Sequence, residues 1–144
     1  VIAYLDSSVL ARAYLVDEVG HDDARRLLND PGVAPVTGTW TRIEVSGALV
    51  RAARAGRGDE RGLLELLDAD LAGPVLVLGA PQEQVERHAL ALVRLHALRA
   101  MDAWHLAAAA ITVPRLAEPD EPQAFVTRDQ AQRAAAEQLG FIGL

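Results

Sequence analysis

Short, nearly unbroken apolar runs alternate with helical patterns along the whole chain, and this alternation restricts the fold more than any other feature. Residues 1–5 (VIAYL), Val33 to Val36, Val75 to Leu78 and Ala124 to Thr127 read as strands. Each is short and bounded by turn-forming or capping residues. Between them, helical patterns run over Val9 to Val16, His21 to Leu28, Thr39 to Ala55, Glu60 to Leu71, Pro81 to about Leu98, Ala103 to Ile111 and Asp129 to Leu139. Gly56, Gly58 and Gly73-Pro74 punctuate the middle of the chain, Pro114 to Pro122 reads as an exposed acidic loop, and Phe141 to Leu144 leaves room for a fifth strand. Strands that are apolar on both faces and separated by helices predict a parallel sheet covered on both sides. The expected fold is therefore a three-layer α/β/α sandwich around four to five strands. With 144 residues, it is expected to form one domain over 1–144.

Composition removes several kinds of chemistry. The absence of cysteine excludes disulfides, thiolate zinc sites, iron–sulfur clusters and cysteine nucleophiles. All fourteen basic residues are arginine, so a phosphate loop or Schiff base that needs lysine has no candidate. The net charge of −6 argues against indiscriminate nucleic-acid binding, because that affinity comes from neutralising phosphates. Any nucleic acid would be met by a local patch or through a metal. Asp6 interrupts the first apolar run before a signal core or membrane span is complete, and a cytoplasmic location is the expectation.

Four acids stand out by position. In an open parallel sheet, ligands bind beyond the carboxyl ends of the strands, where strand turns into helix. Asp6 and Asp129 each follow a predicted strand, while Glu44 and Asp102 lie in or at the start of helices whose N-termini return to that edge. Asp102 carries the most information, since Ala100 to Ala110 otherwise reads as a helix made for burial, and a buried charge needs a partner. Each acid also has a plain alternative. Asp6, Asp102 and Asp129 suit helix caps, and Glu44 suits a solvated helix surface. An oxygen-only set selects Mg²⁺ or Mn²⁺ over zinc. The four histidines show no metal-binding spacing. His105 shares a face with Asp102 and reads as a packed histidine or a support for the site; Trp40 and Trp104 read as core anchors.

The same residues resemble a family. The run ending at Asp6-Ser7-Ser8, Glu44 in TRIEVSGAL, Asp102 in MDAWHLAAA and Thr127-Arg128-Asp129 after Phe125-Val126 are similar, in order and over essentially the whole chain, to the acidic motifs of PIN-domain nucleases of the VapC toxin type. The resemblance implies metal-dependent endoribonuclease activity, with Asp6, Glu44, Asp102 and Asp129 as metal-binding and catalytic acids and Thr127 as the family's hydroxyl residue. It also implies homodimerisation, extended to a higher assembly with a cognate VapB-type antitoxin. Arg51 falls on the Glu44 stripe of its helix, about 10 Å along the axis at roughly 1.5 Å per residue. With Arg54, Arg57 and Arg61 it forms the densest basic stretch, which reads either as an RNA contact through Arg51 and Arg54 or as ordinary solvated or antitoxin-facing surface. Asp102→Asn is expected to stabilise the metal-free protein by relieving repulsion among the acids.

The competing interpretations are a catalytically idle PIN-like module that holds a protein or RNA partner, a phospho-acceptor receiver, which would need lysine, and a phosphohydrolase, which would need a second Asp where Ser8 stands.

Overall fold

Residues 1–144 are described by a computed structural model. Its centre is β1 (Ile2–Leu5), which pairs in parallel with β2 (Ala34–Gly38) on one side and β4 (Gln123–Val126) on the other; β3 (Leu76–Leu78) adds to β2, giving the all-parallel order β3-β2-β1-β4. The pleat sends alternate side chains to opposite faces. Ile2 and Tyr4 of β1 enter one core with Val36 and Phe125, while Ala3 and Leu5 enter a second with Ala124 and Val126.

The two cores explain the two helical layers. On the first face, α5 (Gln82–His96), α6 (Ala100–Thr112) and α7 (Gln130–Gln138) supply Val85, Leu92, Leu106 and Ala135. The alanine-rich face of α6, from Ala103 to Ala109, is buried almost completely. On the second face, α1 (Ser7–Arg12), α2 (His21–Asn29), α3 (Thr39–Arg54) and α4 (Glu60–Ala72) supply Leu10, Ala24, Leu49 and Leu67. The three-layer α/β/α fold expected from the alternation is the one formed. No helix is long and apolar enough to cross a membrane.

Three local differences have physical causes. The first helix spans Ser7–Arg12 rather than Val9 to Val16, because Asp6 caps it directly and the chain then turns to let Tyr14 donate its hydroxyl to Asp70 at 2.9 Å. Helix α6 begins at Ala100, three residues before the expected start. The expected fifth strand is reduced to one parallel bridge, Ile142 beside Ala124, held by Ile142 N–H to Gln123 O (2.9 Å) and Phe125 N–H to Ile142 O (3.1 Å).

Candidate active site at the carboxyl edge of the sheet

Asp6 leaves the end of β1 still attached to the ladder, its N–H donating to Val126 O at 3.0 Å. The residue is only 6% exposed, and its carboxylate caps α1, accepting from Ser8 N–H (3.1 Å) and Ser8 Oγ (2.7 Å). Asp129 follows β4 and caps α7, accepting from Gln132 N–H at 2.9 Å. For these two acids, capping and membership of a shared site coincide. Asp102 is different. Arg99 holds the cap position of α6, so Asp102 lies in the first turn, where the helix dipole favours an anion but no end group requires one.

Arg99 and Gln132 join these acids. The Arg99 guanidinium, whose side chain is 78% exposed, donates to Asp102 Oδ2 at 2.7 Å and to Asp129 Oδ2 at 3.4 Å. The charges of Asp102, Asp129 and Asp6 all hold its pKa above the usual arginine value, with the hydrogen bond to Asp102 contributing most. Gln132 is fully buried and donates its amide to Asp102 O (2.9 Å) and Asp6 Oδ1 (3.4 Å), while its carbonyl accepts from Thr127 Oγ1. Thr127 Oγ1 in turn accepts from Asp129 N–H at 3.0 Å. That bond takes the place of a conventional capping box, in which Gln132 would reach back to the Asp129 N–H. The Gln132 amide is thereby released into the site.

Glu44 stands on the other side of the edge. Projecting from α3, it accepts from Ser7 Oγ at 2.6 Å and from His105 Nε2. Burial works to raise its pKa, but the bonds from His105 and Ser7 outweigh burial and the carboxyl is held below its ordinary value. His105 is buried, with Nδ1 at 3.1 Å from the Tyr4 hydroxyl. Burial above all, and then the charges of Asp6 and Glu44, push the Tyr4 pKa far up, so the hydroxyl stays protonated. One tautomer satisfies every group: Tyr4 donates to Nδ1, and Nε2–H donates to Glu44. Gly38 permits this arrangement, since a Cβ there would fall on the Tyr4 hydroxyl.

The donor set is carboxylate and hydroxyl oxygen, which suits Mg²⁺ or Mn²⁺. As they lie, no three His, Asp or Glu groups surround one point at ligating distance. The pairwise arrangement still fits Mg²⁺, which commonly takes one or two carboxylates and keeps water in its other positions. Arg99 shows that Asp102 and Asp129 already share one positive charge.

Other expectations separate here. Arg51 makes no ion pair and lies back over Gly47, whose added Cβ would sit 3.1 Å from its Nη1. Arg54, Arg57 and Arg61 instead pair with Glu60, with Asp17 and Glu18, and with Glu65. Trp40 is 43% exposed and meets Trp104 edge-on at 6.0 Å, so it is not the core anchor expected. Sequence reasoning did not single out Arg99, Gln132, Tyr4 or Ser7 as site residues. The signal for Gln132 was its spacing of three from Asp129, and for Arg99 the same spacing from Asp102.

The family model described as PIN domain matches residues 3–138 of the chain. No curated protein matches it.

Proposed function

Because the chain belongs to the PIN-domain family, whose members are generally metal-dependent nucleases, we propose that it is a Mg²⁺-dependent endoribonuclease and the toxin of a VapBC-type toxin–antitoxin pair. One observation carries this proposal. Acids from separate segments meet at the carboxyl edge of the sheet, with Asp102 and Asp129 on one guanidinium and Asp6 tied to α6 through Gln132.

In this proposal Asp6 and Asp102 would hold the principal Mg²⁺, for which Mn²⁺ substitutes, and Glu44 and Asp129 would complete the set directly or through water. When bound, the cation supplies neutralisation of the crowded carboxylates and polarisation of water and phosphate for phosphodiester hydrolysis. The chain's own groups do the rest. Gln132, oriented by Thr127, keeps Asp6 in register with the start of α6. Ser7 and His105 keep Glu44 in its ionised, proton-accepting form. Arg99 is exposed and tethered three residues from Asp102, so it can turn to an anionic oxygen of RNA once its carboxylates are neutralised.

The proposal extends to a cytoplasmic protein covering 1–144 as one domain that self-associates and binds a VapB-type antitoxin. Exposed apolar side chains on or beside α1 to α4 support a protein partner there, among them Val16, Val19, Ile43 and Leu66. Of the two arginines expected to touch RNA, Arg51 is free to do so and Arg54 is engaged by Glu60.

Cleavage of total RNA by the wild type and Asp6→Ala, with Mg²⁺ and with EDTA, tests the assignment. Cleavage lost in the variant and in EDTA supports it. Equal cleavage by both proteins points to a contaminant, and no cleavage by either leaves an idle binding module.

A further inference from the structure

The arginines of this chain are mostly spent on each other's neighbours. Nine of the fourteen are ion-paired, and five are not: Arg12, Arg51, Arg94, Arg115 and Arg133. Three of those five line one groove. It consists of two basins of about 690 and 370 Å³ that meet at Arg12 and Arg128, bordered by α1, α2, the C-terminal half of α3 and the turn from β4 into α7.

The groove inverts the charge of the molecule. Arg12, Arg26, Arg51, Arg57, Arg128 and Arg133 line it against only Glu18, Asp23 and Asp30, a balance of three positive charges in a chain of net charge −6. Arg12 is built in rather than left over. Its Nε is the one buried side-chain polar atom of the chain without a hydrogen-bond partner. Gly20 makes room for it, with φ at +88° and any added Cβ only 2.8 Å from Arg12 Nη1. A buried donor with no acceptor is costly to leave unsatisfied, and an anion or a water fills such a place. The groove also runs up beside the acids, since its lining includes Ser8, which is bonded to Asp6, and Thr127, which is bonded to the Asp129 N–H.

We infer that this groove carries the sugar–phosphate backbone of a single-stranded nucleic acid away from the acidic edge, with Arg12, Arg51 and Arg133 as its phosphate contacts. The inference rests on the ribonuclease proposal for the choice of RNA. It adds the route of the strand, between α1 and the start of α7 instead of along the paired arginines of Arg54 to Arg61. The lining contains no aromatic, Asn or Gln side chain, so it holds backbone without stacking or reading bases. Selectivity for a cleavage sequence then resides elsewhere.

The test is fluorescence anisotropy of a short labelled oligouridylate in EDTA, where no strand is cut, across a salt titration. Arg12→Gln/Arg51→Gln/Arg133→Gln is expected to weaken binding about tenfold or more and to flatten the log–log salt slope by about 2. Arg94→Gln/Arg115→Gln, which removes unpaired arginines outside the groove, is expected to change both little. Equal losses in the two variants would reduce the effect to bulk charge and overturn the inference, as would unchanged binding in the triple variant. Should the triple variant lose its circular dichroism, crosslinking of 4-thiouridine RNA to the wild type decides: adducts on α1 and the β4–α7 turn support the groove, and adducts confined to α4 overturn it. Acidic peptide binding with the same arginine dependence, in place of RNA binding, also overturns it. Mg²⁺-dependent cleavage that survives in a folded triple variant at saturating RNA leaves the ribonuclease proposal standing whatever happens to the groove, whereas neither cleavage nor RNA binding by the wild type ends both.

Discussion

The guanidinium of Arg99 sits 2.7 Å from the carboxylate of Asp102 and reaches Asp129 with its other arm. It thus holds the place of a cation between acids that would otherwise repel. In the proposed metal site a divalent ion would compete with Arg99 for the same oxygens, so Arg99→Gln should bind Mn²⁺ several-fold more tightly in calorimetry. Arg87→Gln, a charge-matched change on the exposed face of α5, should not. Without metal, Arg99→Gln should melt lower than wild type. Asp102→Asn is expected to leave the metal-free protein no more stable, because Arg99 already relieves the repulsion that this substitution was expected to remove. Equal Mn²⁺ affinities in the two arginine variants would sink the competition.

Gln132 carries more of the site than any acid, since it touches Thr127, Asp6 and the start of α6 at once. Gln132→Leu keeps the bulk and strips these bonds. It should cost about 1–3 kcal/mol in denaturant unfolding for partners left unsatisfied, and should lower cleavage as well. Thr127→Val should give a smaller loss in the same direction. A Gln132→Leu protein with wild-type stability and wild-type cleavage would remove the amide from any positioning role.

Gly38 and Tyr4 should be coupled. Gly38→Ala drives a methyl into the Tyr4 hydroxyl and should destabilise by about 1–3 kcal/mol, as overpacked sites do. Tyr4→Phe removes the obstruction, so the double variant should be more stable than additivity allows. Simple additivity of the two changes would mean that the hydroxyl shifts freely and does not hold His105 in place.

Glu44 predicts an acid limb to stability. Its folded pKa lies below the ordinary 4.5, so its carboxylate stabilises the fold fully above about pH 4.5 and loses that effect as the pH falls through the lower folded value. In EDTA, Glu44→Gln should show a flatter fall of melting temperature across this acid range. Superimposable pH profiles for the two proteins would mean that the bonds from Ser7 and His105 do not favour the charged form.

The layered fold was legible in the sequence because both faces of each strand had to be apolar, a pattern that leaves few alternatives. The approach of Asp6, Asp102 and Asp129 was legible because strand ends and helix starts share one edge in a parallel sheet. Arg99 and Gln132 were not, since on one helix each looks like an ordinary exposed or capping residue and only the neighbouring segments give it its partners. Trp40 misled for a related reason. Its size suggests burial, but at the start of α3 it meets Trp104 only edge-on and keeps 43% of its surface exposed. The basic stretch misled because density along a chain does not measure free charge, and Asp17, Glu18, Glu60 and Glu65 answer most of it.

The central position of β1 has a temporal consequence. Its second neighbour, β4, is made more than a hundred residues after it and delivers both Asp129 and Gln132. A chain emerging from the ribosome therefore presents Asp6, then Glu44, then Asp102 before the strand that draws them together has been made. A site assembled in this order stays incomplete on the nascent chain until β4 has emerged and returned to β1, so the proposed cleavage would be withheld up to that point.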